Sequence, residues 1–470
     1  MDKRSARGSD SLGLRGSQWP VHIWPHDMRI LLLAKDCNPQ WPSLPGVGFK
    51  AARAIADHAE VVVATYQINR AAIEAEGFGD AEPAYIDNEY VAAPMYRLGK
   101  LLRGGRSVGW TTNVAMAYLP YIAFERQVWR RFGPDLKAGR FDIVHRITPM
   151  SPTLPSPMAK WSPVPFVIGP LNGGLKWPPG FSAELRRERE WLTYLRSTYR
   201  LLPFSRRTFE RSAAILASFR HTIEDLPSAP LDRVIDFPEV GIDPEFFASR
   251  AACRTHDQLQ FMFVGRLVPY KCCDVAILAF ARSRALRRHR LFIVGDGPER
   301  SHLEQLVAEH QLEETVTFLG WKTQEEVGVL MREADVFVFP SIRELGAGVV
   351  VEAMASGLAC VVVDYGGPGG LIDPDRGIKV PLGTKTELIV RYVAALETLA
   401  VDRDRLRQLR GKARDFAIAT FTWEAKARKI LEVYQWVLGE RNCKPEFWNT
   451  GSTVATATDE SRPAPGAKIA

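Results

Sequence analysis

The sequence predicts an α/β protein made of two Rossmann-like halves in series. Its 470 residues are about three times the ~150 of a typical domain, so two domains with flanking tails are expected. Hydrophobic residues make up 46% of the chain and aromatic residues 10%, which excludes a mainly disordered or fibrous protein. Short apolar runs alternate with helical patterns along most of the chain, and this order is typical of parallel sheets covered by helices.

The first half opens with a strand, a loop and a helix. Residues 28–34 (MRILLLA) are typical of a buried strand, a loop rich in proline and glycine follows, and residues 50–59 have a helical pattern. The next apolar run, 60–65, comes at the distance that one crossover helix requires. Further strands are predicted at 142–145, 165–169, 213–217 and 233–237. Residues 1–27 are thus predicted to be a flexible tail and 28–235 an N-terminal Rossmann-like domain.

The second half repeats this alternation more regularly. Five apolar runs with helical patterns between them predict strands that begin near residues 260, 290, 316, 334 and 359. Parallel strands need crossovers, and those crossovers cover both faces of the sheet. We assign residues 236–420 to a C-terminal Rossmann-like domain, 421–440 to a C-terminal helix and 441–470, which are polar and poor in aliphatic side chains, to a disordered tail.

Cysteine usage and hydropathy predict a cytoplasmic protein. The six cysteines are scattered and form no C-x-x-C pair, so neither a disulfide framework nor a zinc site is indicated. The N-terminal residues contain no apolar stretch of the kind a secretory signal needs. The longest uncharged run, 107–124, contains polar residues and a proline, which argues against a membrane-spanning helix.

Two cations follow the first predicted strand of the second half. In open α/β sheets ligands bind beyond the carboxyl ends of the strands, where backbone N–H groups and helix N-termini approach phosphates. The segment GRLVPYK places Arg266 and Lys271 just after such a strand. Two fixed cations at this position suit a diphosphate, although two solvated surface charges would give the same local pattern.

A pair of glutamates surrounds a later glycine-rich turn. Glu344 and Glu352 lie eight positions apart, which would separate them by about 12 Å along a continuous helix. With Glu344 in the loop and Glu352 one turn into the helix, both can face one ligand, while the amides of the turn take its phosphates. Glu352 lies in an apolar stretch, and a carboxylate there needs a partner.

These segments together resemble the GT-B-fold, retaining family 4 glycosyltransferases, the "group 1" family that includes many bacterial polysaccharide enzymes. The resemblance depends on the order and spacing of GRLVPYK (265–271), IVGDGPE (293–299), VTFLGW (316–321), ADVFVFPSIRE (334–344), E-x7-E (344–352) and EAMASGLACVV (352–362). It implies two facing Rossmann-like domains, the second of which binds a nucleotide sugar.

The resemblance also implies roles for single residues. Arg266 and Lys271 would bind the donor diphosphate, Glu344 the transferred sugar and Glu352 the ribose. The donor site would further include Gly265, Trp321 beside the base, and the turn residues Gly346, Ala347, Gly348, Val349 and Val350. Arg266, Lys271 and Glu344 would be catalytic.

The N-terminal domain resembles the family more loosely and would bind the acceptor. Its expected cleft residues are Gly46, Val47, Gly48, His145, Asn172, Gly173 and Gly174. His145 is the nearest match to a histidine that reaches the donor sugar in these enzymes, so it is predicted to be catalytic. A core or capping histidine is the alternative.

Three local features qualify the resemblance. The glycine common after the lysine is Cys272 here, and the acid common after the late glycine run is replaced by Gly370. Asp373 and Asp375 match the D-x-D metal pattern of other glycosyltransferases, but Pro374 between them indicates a solvated turn. No metal and no cofactor are therefore expected, and the nucleotide sugar is a co-substrate.

The basic residues are concentrated in two segments of the first half. The net charge is +7; residues 97–131 contain seven basic residues and one acidic residue, and 185–211 contain eight arginines and three glutamates. Aromatic residues interleave with both, a composition typical of surfaces that lie on anionic membranes. Nucleic acid is disfavoured because no nucleic-acid motif accompanies the charge. Solvated basic helices are the remaining alternative.

The predicted function is retaining transfer of a hexose-type sugar from a nucleoside diphosphate to a lipid-linked saccharide during polysaccharide assembly. The enzyme would be metal-independent and peripheral on the inner face of the membrane. In this family the acceptor hydroxyl is thought to attack on the leaving-group face, while the departing diphosphate accepts its proton. A nucleotide-sugar epimerase and a non-catalytic binding subunit of the same fold are the alternatives.

Overall fold

The computed structural model describes residues 28–41, 43–102, 110–187, 199–248 and 257–448. The first of its two sheets has seven parallel strands in the order β3-β2-β1-β4-β5-β6-β7. These strands are β1 (Arg29–Ala34), β2 (Glu60–Tyr66), β3 (Glu82–Ile86), β4 (Ile143–Thr148), β5 (Phe166–Leu171), β6 (Ala214–Ala217) and β7 (Val234–Asp236).

The second sheet has six parallel strands in the order β10-β9-β8-β11-β12-β13. They are β8 (Gln260–Val264), β9 (Arg290–Val294), β10 (Val316–Gly320), β11 (Val336–Phe339), β12 (Ala359–Val363) and β13 (Gly377–Val380). Two parallel sheets with crossover helices confirm the predicted α/β class and its two Rossmann-like halves.

Helices cover both sheets, which explains why the central strands are continuous apolar runs. All four residues of β11 and all five of β12 are buried. The helices are α1 (Leu44–Ala56), α2 (Arg70–Glu76), α3 (Glu89–Leu102), α4 (Trp110–Lys137), α5 (Met158–Trp161), α6 (Ser182–Arg187), α7 (Ser205–Arg211), α8 (Phe219–Asp225), α9 (Pro244–Phe247), α10 (Cys273–Arg282), α11 (Arg300–Glu309), α12 (Gln324–Glu333), α13 (Gly348–Ala355), α14 (Gly366–Leu371), α15 (Lys385–Val401), α16 (Arg403–Phe421) and α17 (Trp423–Val437).

The predicted C-terminal helix corresponds to α17, and this helix connects the two halves. It follows α16, which packs on the second sheet, yet α17 itself packs against α1 of the first half. Tyr434 of α17 is fully buried there. The chain thus returns to the first half after completing the second.

The tails predicted from the sequence fall mostly outside the described residues. This holds for 1–27 and for the part of 441–470 beyond Trp448. Within 441–448 the prediction of disorder is wrong, because Phe447 is 2% exposed and its ring centre lies 4.6 Å from that of Phe237. Among the described residues, no helix is long and apolar enough to cross a membrane.

Candidate active site

The second sheet reverses its strand order between β8 and β11, and ligands of open α/β sheets bind at such a switch point. Lys271 follows β8 and Glu344 follows β11, and their side chains form an ion pair there. Both are largely shielded from water, with 12% and 16% of the side chains exposed. The Ser341 hydroxyl donates a hydrogen bond to the Glu344 carboxylate over 3.1 Å. The fold therefore brings together two predicted site residues that are remote in sequence.

Arg266 lies on the same edge of the sheet. Its side chain is exposed, whereas Leu267 beside it is buried. The Leu267 N–H donates to the Asp296 carbonyl over 2.9 Å, which ties the loop after β8 to the loop after β9. Gly265 precedes Arg266 in this loop, and Trp321, 72% exposed, follows β10. The loops after β8, β10 and β11 thus present predicted donor-site residues along one edge of the sheet.

The glycine-rich turn before α13 packs closely against Glu239, which follows the last strand of the first sheet. A Cβ atom at position 346 would overlap the carboxylate of Glu239, so any residue other than glycine would require this carboxylate to move. Ala347 has a left-handed backbone with φ of 55°, and the turn leads directly into Gly348 and Val349 of the helix. The first N–H groups of a helix lack partners within it and carry partial positive charge. This turn therefore offers backbone donors next to Glu344.

Glu352 lies one turn into α13, as predicted. The Gln324 side-chain amide donates a hydrogen bond to the Glu352 carboxylate over 3.1 Å. This is the hydrogen-bond partner that a carboxylate in an apolar helix needs. Burial raises the pKa of Glu352 to about 7, although the Gln324 hydrogen bond and the nearby Lys50 ammonium act in the opposite direction. Lys50 belongs to α1 of the first half, and its ammonium forms an ion pair with Asp243, which follows β7.

Glu239 is a site residue that the sequence analysis missed. It lies after β7 and is 4% exposed, and its carboxylate accepts hydrogen bonds from the Asn172 amide and the Ser218 hydroxyl. Burial raises its pKa. Burial also lowers the pKa of the neighbouring Lys426 ammonium to about 7, with Glu239 opposing that change. No local pattern marks Glu239, because its partners come from four distant segments.

His145 was predicted to be catalytic, and this prediction is wrong. It lies in β4, where it pairs with Leu32 of β1, and is fully buried. Its Nε2–H donates to the Gly169 carbonyl over 2.7 Å, and its Nδ1 accepts from the Tyr434 hydroxyl over 2.6 Å. Burial lowers the pKa of His145 to about 4. The alternative of a core histidine is the one observed.

The other predicted cleft residues of the first half fall into two groups. Gly46, Val47 and Gly48 lie in the first turns of α1 and not in a loop; the preceding proline suits a helix start. Asn172 follows β5 and reaches Glu239 beside the glycine-rich turn of the second half. Gly173 and Gly174 follow it, and the Gly173 N–H donates to the Thr222 hydroxyl over 3.2 Å.

The departures from the family pattern have local explanations. Cys272 adopts a left-handed backbone with φ of 49°, the conformation that a glycine accommodates without strain. A side chain at position 370 would overlap the ring of Phe219 from the first half, so this position has no room for an acid.

The D-x-D segment is a turn in the structure. Asp373 pairs with Arg376 over 2.7 Å and Asp375 pairs with Lys412 over 2.9 Å. Within the described ranges, no group of three or more His, Cys, Asp or Glu side chains could hold a metal ion.

The two basic segments are exposed in part and buried in part. Tyr121 and Tyr199, which were predicted to interleave with the basic residues at a membrane surface, are core residues with 0% and 7% exposure. For these two rings the prediction is wrong. Trp191 and Tyr194 lie outside the described residues. The exposed arginines on α4 and α7 are Arg126, Arg130, Arg131, Arg206, Arg207 and Arg211.

The paired sheets with a switch-point site define the GT-B architecture. Two solved structures share it over nearly the whole chain. Sucrose-phosphate synthase from Thermosynechococcus elongatus has a TM-score of 0.62 at 18% identity, covering 88% of this chain and 100% of that one. The Anabaena protein Alr3699/HepE in complex with UDP and glucose has a TM-score of 0.54 at 18% identity, covering 87% and 100%.

The sequence comparison concerns mainly the second half. Residues 248–415 match the family model of the glycosyl transferases group 1. The D-inositol 3-phosphate glycosyltransferase of Stackebrandtia nassauensis is 32% identical over 249 residues, which is 49% of this chain and 54% of the relative. The matched part therefore spans about half the length of this curated relative.

Proposed function

We propose that this protein is a glycosyltransferase that moves a sugar from a nucleoside diphosphate to a saccharide acceptor. The observation that carries the proposal is the Lys271–Glu344 ion pair at the switch point of the second sheet. The shielded Lys271 ammonium can stabilise the charge that develops on a leaving diphosphate, and the exposed Arg266 guanidinium adds a second positive charge. The match of residues 248–415 to the group 1 family model supports the same conclusion.

The finer features of the reaction belong to this proposal. Glu344 would bind the transferred sugar and Glu352 the ribose, while the amides of residues 346–350 would bind phosphate and sugar oxygens. The configuration at the sugar would be retained, with the acceptor hydroxyl attacking on the leaving-group face. Since side-chain cations would neutralise the diphosphate, a metal ion would not be required.

We further propose a hexose donor and a lipid-linked acceptor at an anionic membrane surface. The exposed arginines of α4 and α7 support the membrane contact, because each basic residue near an anionic surface contributes about 1 kcal/mol. Tyr121 and Tyr199 do not contribute to this contact, because both rings are buried.

Incubation of the purified protein with UDP- and GDP-linked sugars and a membrane lipid extract tests the proposal. Label in the lipid fraction, together with released nucleoside diphosphate, is the expected result. An epimerase would alter the nucleotide sugar without labelling the lipid, and a binding subunit would do neither. Either of these outcomes would contradict the proposal.

Variants of the two cations test the site. We expect Arg266→Ala and Lys271→Ala each to lower kcat by ~100-fold or more, since loss of one donor to developing charge often costs ~3 kcal/mol. Arg282→Ala, an exposed arginine on α10, is the matched control. Near-full activity of either site variant would reject the assignment.

Chelation tests the proposed independence of metal. We expect EDTA to leave the transfer rate within about twofold, because Arg266 and Lys271 would supply the charge that a bound metal supplies elsewhere. Loss of activity with EDTA and its recovery with Mn²⁺ would contradict this part of the proposal.

A further inference from the structure

The segment after β5 extends from the first half and lies along the carboxyl edge of the second sheet. We call residues 175–187, which end with α6, the strap. The four central strands of the second sheet stand in the order β9-β8-β11-β12. Successive parts of the strap contact the loops after β12, β11, β8 and β9 in that order. The strap therefore crosses the switch point at which the Lys271–Glu344 ion pair lies.

The first contacts of the strap are with the loops after β12 and β11. The Tyr365 hydroxyl donates a hydrogen bond to the Lys176 carbonyl over 2.8 Å. The Arg343 guanidinium lies over the Trp177 ring, 5.0 Å from its centre, a distance at which an aromatic face attracts a cation. Arg343 directly precedes Glu344 in the chain. Trp177 thus holds the neighbour of a proposed site residue.

The later contacts of the strap are ion pairs made by α6. Glu184 is 7% exposed, and its carboxylate lies 3.6 Å from the Lys385 ammonium. Lys385 also pairs with Asp274, the second residue of α10. The Arg187 guanidinium contacts both carboxylate oxygens of Glu299, which follows β9. The Glu299 side chain is only 15% exposed, so water screens this pair less than a fully exposed one.

The loops under the strap are also bonded to one another. Helix α6 packs against the turn Pro269–Lys271 after β8. The Ile342 N–H donates to the Tyr270 carbonyl of this turn over 3.0 Å, and the Glu299 N–H donates to the Leu267 carbonyl over 3.1 Å. The loops after β8, β9 and β11 therefore form one hydrogen-bonded unit, which the strap holds at several points.

We propose that the strap is a positioning element, in which Trp177 and Arg187 hold these loops in the arrangement that binds a nucleoside diphosphate. The inference rests on the proposed function, since the same loops carry Arg266, Lys271 and Glu344. Loops that are ordered before a ligand arrives reduce the conformational entropy that binding would otherwise lose. The affinity of the second half for its nucleotide therefore depends on a segment of the first half.

Reversal of the charge at one end of the strap tests this dependence. We expect Arg187→Glu, which places two carboxylates together, to weaken binding of UDP or GDP about tenfold, a typical coupling between contacting residues. Combination with Glu299→Arg restores an ion pair of opposite polarity and should return the affinity to within about threefold of the wild type. Isothermal titration calorimetry on the full-length protein is the measurement.

The matched control is Arg186→Glu, the same change of charge one residue earlier on α6. Arg186 is exposed, and its Nε–H donates to the Ser182 carbonyl of the same helix over 3.2 Å. This variant should leave nucleotide affinity within about twofold. An equal loss of affinity in Arg186→Glu and Arg187→Glu would overturn the inference, because general charge and not the pair with Glu299 would then be responsible.

Amide hydrogen exchange of the nucleotide-free protein tests the strap without requiring any nucleotide to bind. The reporters are amides that donate hydrogen bonds between the loops, those of Leu267, Glu299 and Ile342. We expect Arg187→Glu and Trp177→Leu to accelerate exchange at these amides several-fold. Trp177→Phe should preserve protection, because the phenyl ring still offers a face to Arg343. Exchange in β1 and β4 of the first sheet reports global folding and should not change.

The outcomes separate this inference from the proposed function. Unchanged exchange at the reporters in both Arg187→Glu and Trp177→Leu would overturn the inference even if sugar transfer is observed. A charge reversal that leaves nucleotide affinity intact, or a loss that the swapped pair does not restore, would overturn it as well. Faster exchange that the swapped pair reverses, in a protein that binds neither nucleotide, would support the strap and contradict the proposed function alone.

Discussion

Burial raises the pKa of Glu352, one of the proposed site residues. Its carboxyl lies in the apolar helix α13, and desolvation raises its pKa from 4.5 to about 7. In the unfolded chain the same group ionises near its ordinary pKa. A group whose pKa is raised by folding contributes stability below its unfolded pKa, and this contribution is lost as the pH rises through the folded pKa. Ionisation of Glu352 is therefore expected to lower the free energy of unfolding progressively as the pH rises from about 4.5 to about 7.

Replacing this carboxyl with its neutral isostere should remove that pH dependence. We expect Glu352→Gln to raise the Tm at pH 8 by about 3 °C and to leave it nearly unchanged at pH 4.5, where the wild-type carboxyl is already protonated. The Gln324 amide can still donate to the new side-chain carbonyl. Differential scanning calorimetry at the two pH values is the measurement.

The control for this prediction is Glu325→Gln, an exposed glutamate on α12 beside Gln324. It should not change the Tm in a pH-dependent way. A Glu352→Gln variant with the same change in Tm at both pH values would show that packing and not ionisation is responsible.

The turn before α13 is fixed by a residue from the segment that joins the two halves. Glu239 follows β7 and fills the space beside Gly346, while Asn172 after β5 holds one of its oxygens. The loops of three strands from two sheets therefore meet at one carboxylate. Close packing of this kind tolerates additional volume poorly.

Adding a methyl group at this contact tests the arrangement. We expect Gly346→Ala to lower the free energy of unfolding by about 1–3 kcal/mol, since the methyl overlaps the Glu239 carboxylate. Combination with Glu239→Asp, which shortens the side chain by one methylene, should restore part of the loss. Denaturant unfolding of the single and double variants measures both effects.

The control for this prediction is a substitution at Gly411, a glycine in the interior of α16 where an added methyl group contacts nothing within 4 Å. Gly411→Ala should raise the free energy of unfolding by about 0.5–1 kcal/mol. Equal destabilisation by both substitutions would contradict the proposed overlap at position 346.

Ion pairs and one helix connect the two halves of the molecule. Arg187 of α6 pairs with Glu299 after β9, and Lys50 of α1 pairs with Asp243 after β7. Helix α17 packs on α1. Arg187 pairs with Glu299 and Arg206 of α7 pairs with Glu210, so the charge available to a membrane is carried by the other exposed arginines of α4 and α7.

The proposed membrane contact predicts binding to vesicles of anionic phospholipid. Replacement of Arg126, Arg130, Arg207 and Arg211 together by glutamine should weaken this binding several hundred-fold, at about 1 kcal/mol for each charge. Salt at about 0.5 M should weaken the wild type similarly, because surface charges are then screened within a few ångströms. Vesicle sedimentation measures both effects.

An equal change of charge on the second half is the control. Arg282, Arg284, Arg287 and Arg288 are all exposed, and their replacement by glutamine should leave vesicle binding largely unchanged. Two results would reject the proposed surface. The first is loss of vesicle binding when only these four arginines of the second half are replaced, and the second is equal binding of the wild type to neutral and anionic vesicles.

The sequence by itself determined the fold class and, within the proposed donor site, the placement of Lys271 and Glu344 at one edge of the second sheet. Buried parallel strands are continuous apolar runs, so their order along the chain could be predicted. Their carboxyl ends meet at one edge of the sheet, which is why Lys271 and Glu344, each placed just after a predicted strand, lie together. Strands β3 and β13 were missed because both are edge strands with mixed burial, and β3 also contains Pro83.

Only the tertiary structure decided which residues of the first half reach the cleft. His145 follows the sequence pattern of a site residue, yet α17, remote in the chain, supplies Tyr434 to one of its ring nitrogens and β5 supplies the Gly169 carbonyl to the other. Glu239 has no such pattern and lies at the contact between the halves. Local patterns determine which side chains stand at a strand end, whereas burial of those side chains depends on which distant element packs over them.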